Sequence, residues 1–207
     1  MAGMIGRKVG MTQIFDDDGK AVGVTVIEVG PCPIVQVKTA ETDGYEAVQV
    51  GFGRRRDRRA KKPAAGHAAR AGIDYVPEVL AEFEPEPERE YTPGEQLTVE
   101  MFEVGQRVKI SGRTKGRGFQ GTVKRHNFRG SRASHGGSSI LRKPGSIGPG
   151  TDPSRVIKGR KMSGQMGGTV RTALNRRIVA IDAEKNLLMI DGSVPGARNN
   201  VVLIRTV

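Results

Sequence analysis

Short runs in which apolar residues take every second position dominate both ends of the chain. Val22, Val24 and Val26 alternate with Gly23 and Thr25, and β-branched residues are frequent in this part of the sequence. A period of two predicts β-strands with one buried face. Strand-like patterns of this kind predict strands over residues 22–26, 34–38, 47–52, 97–102, 107–111, 178–182, 187–191 and 201–204.

Turn-forming residues separate these runs. The sequence Asp16-Asp17-Asp18-Gly19 predicts a hairpin turn, and residues 42–44 (TDG) predict another. Three consecutive acids could suggest a cation site, but the spacing of a calcium-binding loop with its distal glutamate is absent, which favours a solvated turn. Many short strands joined by close turns favour a mainly β fold, and a small closed barrel over a sandwich.

Residues 53–95 interrupt the strand pattern. The alanine-rich segment 64–71 predicts a short helix and residues 73–83 predict another, whereas glutamates alternating with Pro85 and Pro87 block a regular helix further on. We interpret 53–95 as an irregular, partly helical insertion in the β domain. It begins with a basic cluster that serves either as a second phosphate contact or as a solvated loop: Arg54, Arg55, Arg56, Arg58, Arg59, Lys61 and Lys62.

The charge of the chain is concentrated in residues 112–177. This segment holds 16 of the 34 lysines and arginines but only one of the 22 acids, Asp152, so it carries +15 while the rest of the chain carries −3. It is rich in glycine and poor in apolar runs, so it cannot offset its ordering entropy by burial alone. A polyanion would supply that compensation, and nucleic acid rewards closely spaced Lys and Arg through counterion release.

Other compartments and partners fit less well. Glycine and proline interrupt each basic run, which disfavours an amphipathic membrane-binding helix, and no apolar run reaches the length of a membrane span. The first residues lack the apolar region of a signal peptide. The single cysteine, Cys32, lies between two prolines with no base nearby in sequence, so we expect a packing role in a soluble, intracellular protein.

Residues 116–121 (GRGFQG) match the dinucleotide-binding pattern G-x-G-x-x-G. That pattern should open a helix on a parallel sheet, with an acid about 20 residues further on. Residues 122–127 instead look basic and strand-like, and the next acid is Asp152. We therefore expect these glycines to let the backbone approach RNA closely, and we reject a nucleotide-dependent enzyme.

The three histidines have no partners at ligand or catalytic spacing. His67, His126 and His135 therefore predict neither a metal site nor nucleophilic catalysis. His126 and His135 could stack on RNA or hydrogen-bond to it. Phe119 and Phe128 could stack likewise, or could equally fix the base of the basic segment to the β domain.

Several long motifs give the chain a specific resemblance. The sequence contains IGRKVGMTQIF, GPCPIVQVKT, FQGTVKRHNFRG, SHG, RKPGSIGPGTDPSRVIKGRKMSGQMG and NLLMIDGSVPGARNNVVLIR in this order. Together they resemble the large-subunit ribosomal protein L3 family of the bacterial type, over nearly the whole chain.

The resemblance implies a six-stranded barrel similar to that of translation factors, here residues 1–111 and 178–207, with an RNA-penetrating extension over residues 112–177. It implies an early assembly protein in the ribosome of the cytoplasm that binds the 3′-terminal domains of the large-subunit RNA and adjoins ribosomal proteins L14 and L19. The tip of the extension, residues 134–151, would approach the peptidyl transferase centre. Some bacterial members have a methylated glutamine after GSIG, but residues 149–151 (PGT) follow it here, so we do not expect that modification.

We therefore predict a structural RNA-binding protein without catalytic residues, metal or cofactor. Glycines at 136, 137, 145 and 148 should permit tight turns, and the segment should be largely mobile before assembly. Charge alone leaves a free, nonspecific nucleic-acid chaperone as the alternative. The predicted RNA-binding residues are Arg54, Arg55, Arg56, Lys115, Arg117, Lys124, Arg125, His126, Arg129, His135, Arg142, Lys143, Arg155, Lys158, Arg160, Lys161 and Arg171.

Overall fold

The computed structural model describes residues 3–16, 18–86, 89–137 and 139–207. Of the residues discussed above, Asp17 of the hairpin turn, Pro87 and its neighbour in the glutamate-proline segment, and residue 138 of the predicted tip lie outside the described residues. The chain divides into two compact units. One comprises Met1–Thr114 and Val170–Val207, and the other comprises Lys115–Thr169.

Twelve strands account for most of the regular structure in the described chain. Their bounds are β1 Gly3–Phe15, β2 Ala21–Val29, β3 Cys32–Lys38, β4 Ala47–Arg54, β5 Pro77–Phe83, β6 Gln96–Leu97, β7 Arg107–Arg113, β8 Phe119–Gln120, β9 Gly164–Gln165, β10 Val170–Asp182, β11 Leu187–Asp191 and β12 Val201–Thr206. Six of them close into a barrel in the order β1-β12-β7-β10-β11-β2, and each neighbouring pair is antiparallel. The predicted mainly β class and closed six-stranded barrel are confirmed.

The barrel interior follows from the two-residue period of its strands. In β7 the side chains of Val108 and Ile110 are fully buried, and β12 buries Val202 and Ile204 in the same way. Because successive side chains point to opposite faces of a strand, every second residue enters the core. Burying an aliphatic side chain of this size stabilises the fold by roughly 1.5–3 kcal/mol relative to leaving it exposed.

A bulge lets the long strand β10 change partners. Strand β10 pairs with β7 up to Arg177 and with β11 from Ile178, and its register with β7 shifts between Ala173 and Arg176. Asn175 has a φ of 51° there, a left-handed conformation that asparagine tolerates better than most residues. A bulge bends a strand locally, so β10 serves two partners over its 13 residues.

A second sheet has the order β5-β4-β3-β6. Strand β5 pairs with β4 through Val48 opposite Phe83 and Phe52 opposite Val79. The predicted helix over residues 73–83 is therefore wrong, and residues 53–95, interpreted as an irregular and partly helical insertion, contain the strand β5 as well as a helix. Leu80 points outward between half-buried Val79 and Ala81, so the segment alternates with a period of two, and pairing with β4 outweighs its helix propensity.

Three α-helices are present in the described chain, α1 Ala40–Asp43, α2 Lys62–Arg70 and α3 Thr122–His126. Helix α2 overlaps the predicted alanine-rich helix and buries Ala68 against Val35 and Ile73. Among these helices none is long and apolar enough to cross a membrane.

Two further strand predictions are wrong. Residues 122–126 form α3 instead, and the helix ends at Asn127, which adopts a left-handed φ of 59°. Residues 97–102 contain only the end of β6, followed by a 3₁₀ turn over Val99–Met101. Leu97, Val99 and Phe102 are all buried, and the 3₁₀ turn brings Phe102 into the core despite its odd spacing from Val99.

Cys32 is the first residue of β3 and lies in the hydrophobic core next to Ile5 of the barrel strand β1. Its side chain is fully buried, and the thiol donates a hydrogen bond to the Ile5 carbonyl over 3.3 Å. Burial raises the pKa of the Cys32 thiol to about 12, because the charged thiolate is disfavoured away from water. The side chain therefore acts in packing, as the sequence predicted.

This burial predicts the reactivity of the thiol. At pH 8 a raised pKa of about 12 leaves little thiolate, so the native protein should react with a thiol reagent at least roughly a thousandfold more slowly than an ordinary exposed cysteine. The reaction should become complete in denaturant. A Cys32→Ala/Val104→Cys variant is the matched control, since Val104 is 65% exposed. Equal labelling rates for the two native proteins would contradict the assignment.

Candidate nucleic-acid interface

The 115–169 unit is held together at its two ends by a short ladder. Strand β8 pairs with β9 through Phe119 opposite Gln165. Next to this pair the Arg117 amide donates to the Met166 carbonyl over 2.8 Å, and the Met166 amide donates to the Gly118 carbonyl over 2.9 Å. The entering and leaving segments of the unit are therefore hydrogen-bonded to each other.

Two basic side chains of α3 strengthen this base. Arg125 Nη1 and His126 Nε2 each donate to the Met162 carbonyl, over 2.8 and 3.0 Å. The Arg125 guanidinium also lies where a Cβ on Gly164 would come within 2.8 Å of Nη1. A glycine at this position of β9 is therefore what lets the arginine reach its acceptor.

Close backbone approach also fixes the identity of Gly167. Its φ is +71°, and a Cβ there would collide with the Lys115 carbonyl. Only glycine combines this left-handed conformation with that approach at little cost. The chain can therefore run tightly past its own entering segment.

The aromatic residues of the unit differ in exposure. Phe119 is 73% exposed on β8, whereas Phe128 is half-buried with its ring centroid 6.1 Å from that of His126. Phe119 is available for stacking, and Phe128 packs within the unit.

Most predicted RNA-binding side chains of this unit are solvent-exposed. Arg125 and His126 are half-buried at the base, and Arg160 donates to the Ser146 carbonyl over 3.1 Å while remaining exposed. The exposed residues are Lys115, Arg117, Lys124, Arg129, His135, Arg142, Lys143, Arg155, Lys158, Arg160 and Lys161.

The other predicted residues belong to the first unit. Arg171 is exposed on β10. Arg54 forms a 3.5 Å ion pair with Asp57, and the half-buried Arg55 donates to the Glu78 carbonyl over 3.0 Å. Arg56 is exposed. Of these three arginines of the cluster, Arg54 and Arg55 thus make contacts within residues 53–95.

The 115–169 unit carries uncompensated charge. It contains twelve lysines and arginines and one acid, Asp152. Six salt bridges occur among the described residues, and all of them lie in the other unit. Since exposed like charges repel one another unless screened, the surface favours a polyanionic partner.

Arg132 is not among the predicted RNA-binding residues. Arg132 is exposed and belongs to the same loop as Arg129 and His135. The signal was available, because Arg129 and Arg132 are separated only by glycine and serine.

The structure changes the argument about the G-x-G-x-x-G match. The segment that follows it is the helix α3, so the prediction that this segment is strand-like was wrong. However, α3 has only five residues, and every strand pair in the described chain is antiparallel. The parallel strand-helix-strand unit that binds a dinucleotide is not formed by these residues.

No metal centre is formed by the described part of the chain. It contains no group of three or more His, Cys, Asp or Glu side chains that could hold an ion. His67 instead meets the Gln49 side-chain oxygen with its Nε2 at 2.6 Å.

Comparisons with known proteins give a consistent result. A family model described as ribosomal protein L3 matches residues 89–187. The large ribosomal subunit protein uL3 of Ralstonia pickettii strain 12J is 50% identical over 204 residues, which cover 98% of this chain and 94% of the relative. The protein of the same name from Azoarcus sp. strain BH72 is 50% identical over 205 residues, covering 98% and 96%. That from Laribacter hongkongensis strain HLHK9 is 48% identical over 204 residues, covering 98% and 95%.

The contacts at the base predict a local effect of Arg125→Ala. Losing the charged donor to Met162 should accelerate amide exchange of Arg117 and Met166 by roughly tenfold, since a hydrogen bond from a charged group contributes on the order of 1.5 kcal/mol. Hydrogen exchange followed by NMR measures this. Lys124→Ala removes the same charge from the exposed neighbouring residue and should leave both amides unchanged. Equal acceleration in the two variants would contradict a role for the Met162 contact.

Proposed function

Because the chain belongs to the ribosomal protein L3 family, we propose that it is a structural constituent of the large ribosomal subunit and binds the subunit's RNA. The family is structural and not enzymatic. Close to half of the residues are identical to those of large-subunit proteins over 98% of the chain, and this observation carries the proposal. The protein would therefore act in the cytoplasm as part of the ribosome.

RNA binding is supported by the charge of the 115–169 unit. Its exposed lysines and arginines form no salt bridge among the described residues, so they remain available to phosphates. Each phosphate neutralised releases condensed counterions, which supplies affinity without a sequence-specific contact. The predicted set from Lys115 to Arg171 would supply these contacts, with Arg54, Arg55 and Arg56 as a second group.

The proposal extends to the division of the chain into domains. Residues 1–111 and 178–207 would form a barrel of the translation-factor type with the partly helical insertion 53–95, and residues 112–177 would form the glycine-rich basic extension. The antiparallel register of β7 with β10 supports it, because Gly112 opposite Arg171 aligns the two strands that lead into and out of the extension. The barrel would thus fix where the extension begins and ends.

The place of the protein in the subunit is proposed on the same basis. The extension would enter the 3′-terminal domains of the RNA, with residues 134–151 nearest the peptidyl transferase centre, where catalysis would belong to the RNA. Ribosomal proteins L14 and L19 would be its neighbours, and binding would occur early in assembly. The internal ladder and the Arg125–Met162 contact support a partly ordered base before assembly, in contrast to the expected general mobility.

A free, nonspecific nucleic-acid chaperone is the second candidate. The uncompensated charge favours it, because charge alone suffices for nonspecific binding. The two functions differ in stoichiometry and in the resistance of the complex to salt.

Sedimentation of tagged protein from lysate through a high-salt sucrose gradient tests the proposal. We expect stoichiometric co-migration with the large subunit, because shape and burial in RNA would add to the electrostatic contacts. A protein held only by 6–10 phosphate contacts would lose roughly a thousandfold or more in affinity between low and moderate salt. Release to the top of the gradient would favour the chaperone.

The double substitution Arg142→Ala/Lys143→Ala tests the predicted tip. Removing two exposed positive charges there should lower the yield of mature large subunits or change the response to drugs that act near the catalytic centre. Subunit profiles and drug susceptibility of cells carrying only the variant measure this. Lys20→Ala/Lys185→Ala is the matched control, since these side chains are 80% and 72% exposed in the first unit. Wild-type behaviour of the tip variant would count against its role.

A further inference from the structure

A concave pocket lies within one loop of the 115–169 unit. Its volume is about 710 Å³, within the range of pockets that hold small organic ligands. Three cationic or titratable side chains line it, Arg129, Arg132 and His135, together with the apolar side chain of Ile140. It is separate from residues 116–121 of the G-x-G-x-x-G match.

Backbone hydrogen bonds hold the walls of this pocket. The Ser131 amide donates to the Leu141 carbonyl over 3.0 Å, and the Ile140 amide donates to the Gly137 carbonyl over 3.2 Å. Gly137 is buried, and a Cβ on it would collide with the Arg132 carbonyl. The loop therefore closes through its main chain and leaves its side chains for other contacts.

The polar side chains that line the pocket are unused in the described part of the chain. Arg129, Arg132 and His135 are exposed, and within that part they form no side-chain hydrogen bond or ion pair. The one acid of the unit, Asp152, does not line the pocket. Two arginines that line a cavity with no acidic side chain on its wall favour an anionic ligand.

We propose that this pocket takes one unstacked nucleotide of the RNA, a binding subsite that rests on the proposed function. Arg129 and Arg132 bind its phosphate, because the planar fork of a guanidinium matches two phosphate oxygens. The base lies against the His135 ring and Ile140. Proteins that read RNA in this way hold splayed-out bases on aromatic or arginine planes.

The shape of the site favours a nucleotide over the backbone of a duplex. Duplex phosphates lie in a row on a convex surface, so exposed cations outside a pocket suffice to contact them. A concave site with a ring and an aliphatic side chain adds contact area only for a base that has left its stack. An acidic peptide would pair with the arginines but would leave the ring and Ile140 without a planar partner.

Titration of the full-length chain with small probes tests the proposal. The probes are the four nucleoside 5′-monophosphates, inorganic phosphate and a hexaglutamate peptide, followed at fixed ionic strength by NMR shifts of the amides in residues 129–140 and by calorimetry. At least one nucleotide should bind about tenfold more tightly than inorganic phosphate, since base contacts add to the charge contacts.

Three variants distinguish binding in the pocket from nonspecific electrostatic attraction to the charged surface. Arg129→Ala/Arg132→Ala should lower nucleotide affinity by about tenfold or more. His135→Ala should weaken nucleotide binding and leave phosphate binding within about twofold, which also tests the site if the double variant fails to fold. Lys20→Ala/Lys185→Ala removes two exposed charges that lie outside the pocket and outside the predicted RNA-binding set, and should change neither affinity by more than about twofold.

Each contrary result overturns the subsite. Equal affinity for inorganic phosphate would mean a simple anion site, equal affinity for hexaglutamate would indicate an acidic protein partner, and equal loss in the Lys20/Lys185 variant would mean nonspecific attraction. Absence of saturable nucleotide binding would also overturn it. Co-migration with the large subunit is scored separately, so a chain that enters the subunit but binds no nucleotide refutes the pocket and leaves the proposed function intact.

Discussion

Mutual repulsion is the constraint on which the 115–169 unit depends. Twelve positive charges and one negative charge must share one compact segment, and over distances within about 10 Å salt does little to screen them. The chain meets this constraint by ordering itself through main-chain bonds at its base and by turning Arg125 inward as a donor to Met162. A guanidinium that donates a hydrogen bond to a carbonyl, as Arg125 does to Met162, contributes to the stability of the folded unit. A guanidinium that lies beside another positive charge does not.

The barrel solves the opposite problem, since it is built from apolar burial. Its alternating pattern could be read from the sequence wherever a strand is half-buried and regular, as in β11, whose predicted bounds agree with Leu187–Asp191. Bulges could not be predicted in the same way, because the shift at Asn175 depends on the partner strands. Strand β10 is therefore longer than the pattern over 178–182 indicated.

The local secondary-structure propensity of a segment gave the wrong prediction where the presence or absence of a partner strand determined its structure. Residues 77–83 contain good helix formers, yet their pairing with β4 makes them a strand. Residues 122–126 lack a strand partner and form a helix instead. The candidate interface was readable from charge alone, but the inward contacts of Arg125 and His126 were not, because Met162 lies 37 and 36 residues away in sequence.

The ladder between β8 and β9 has a consequence for variation in chain length. It joins Gln120 to Gly164 and so closes residues 121–163 as one loop, and the entropy of closing a loop grows only with the logarithm of its length. Ten added residues in the exposed stretch 149–157 would cost about 0.2 kcal/mol in closure entropy. The loop 121–163 can therefore be lengthened or shortened while the ladder at its base keeps the same geometry.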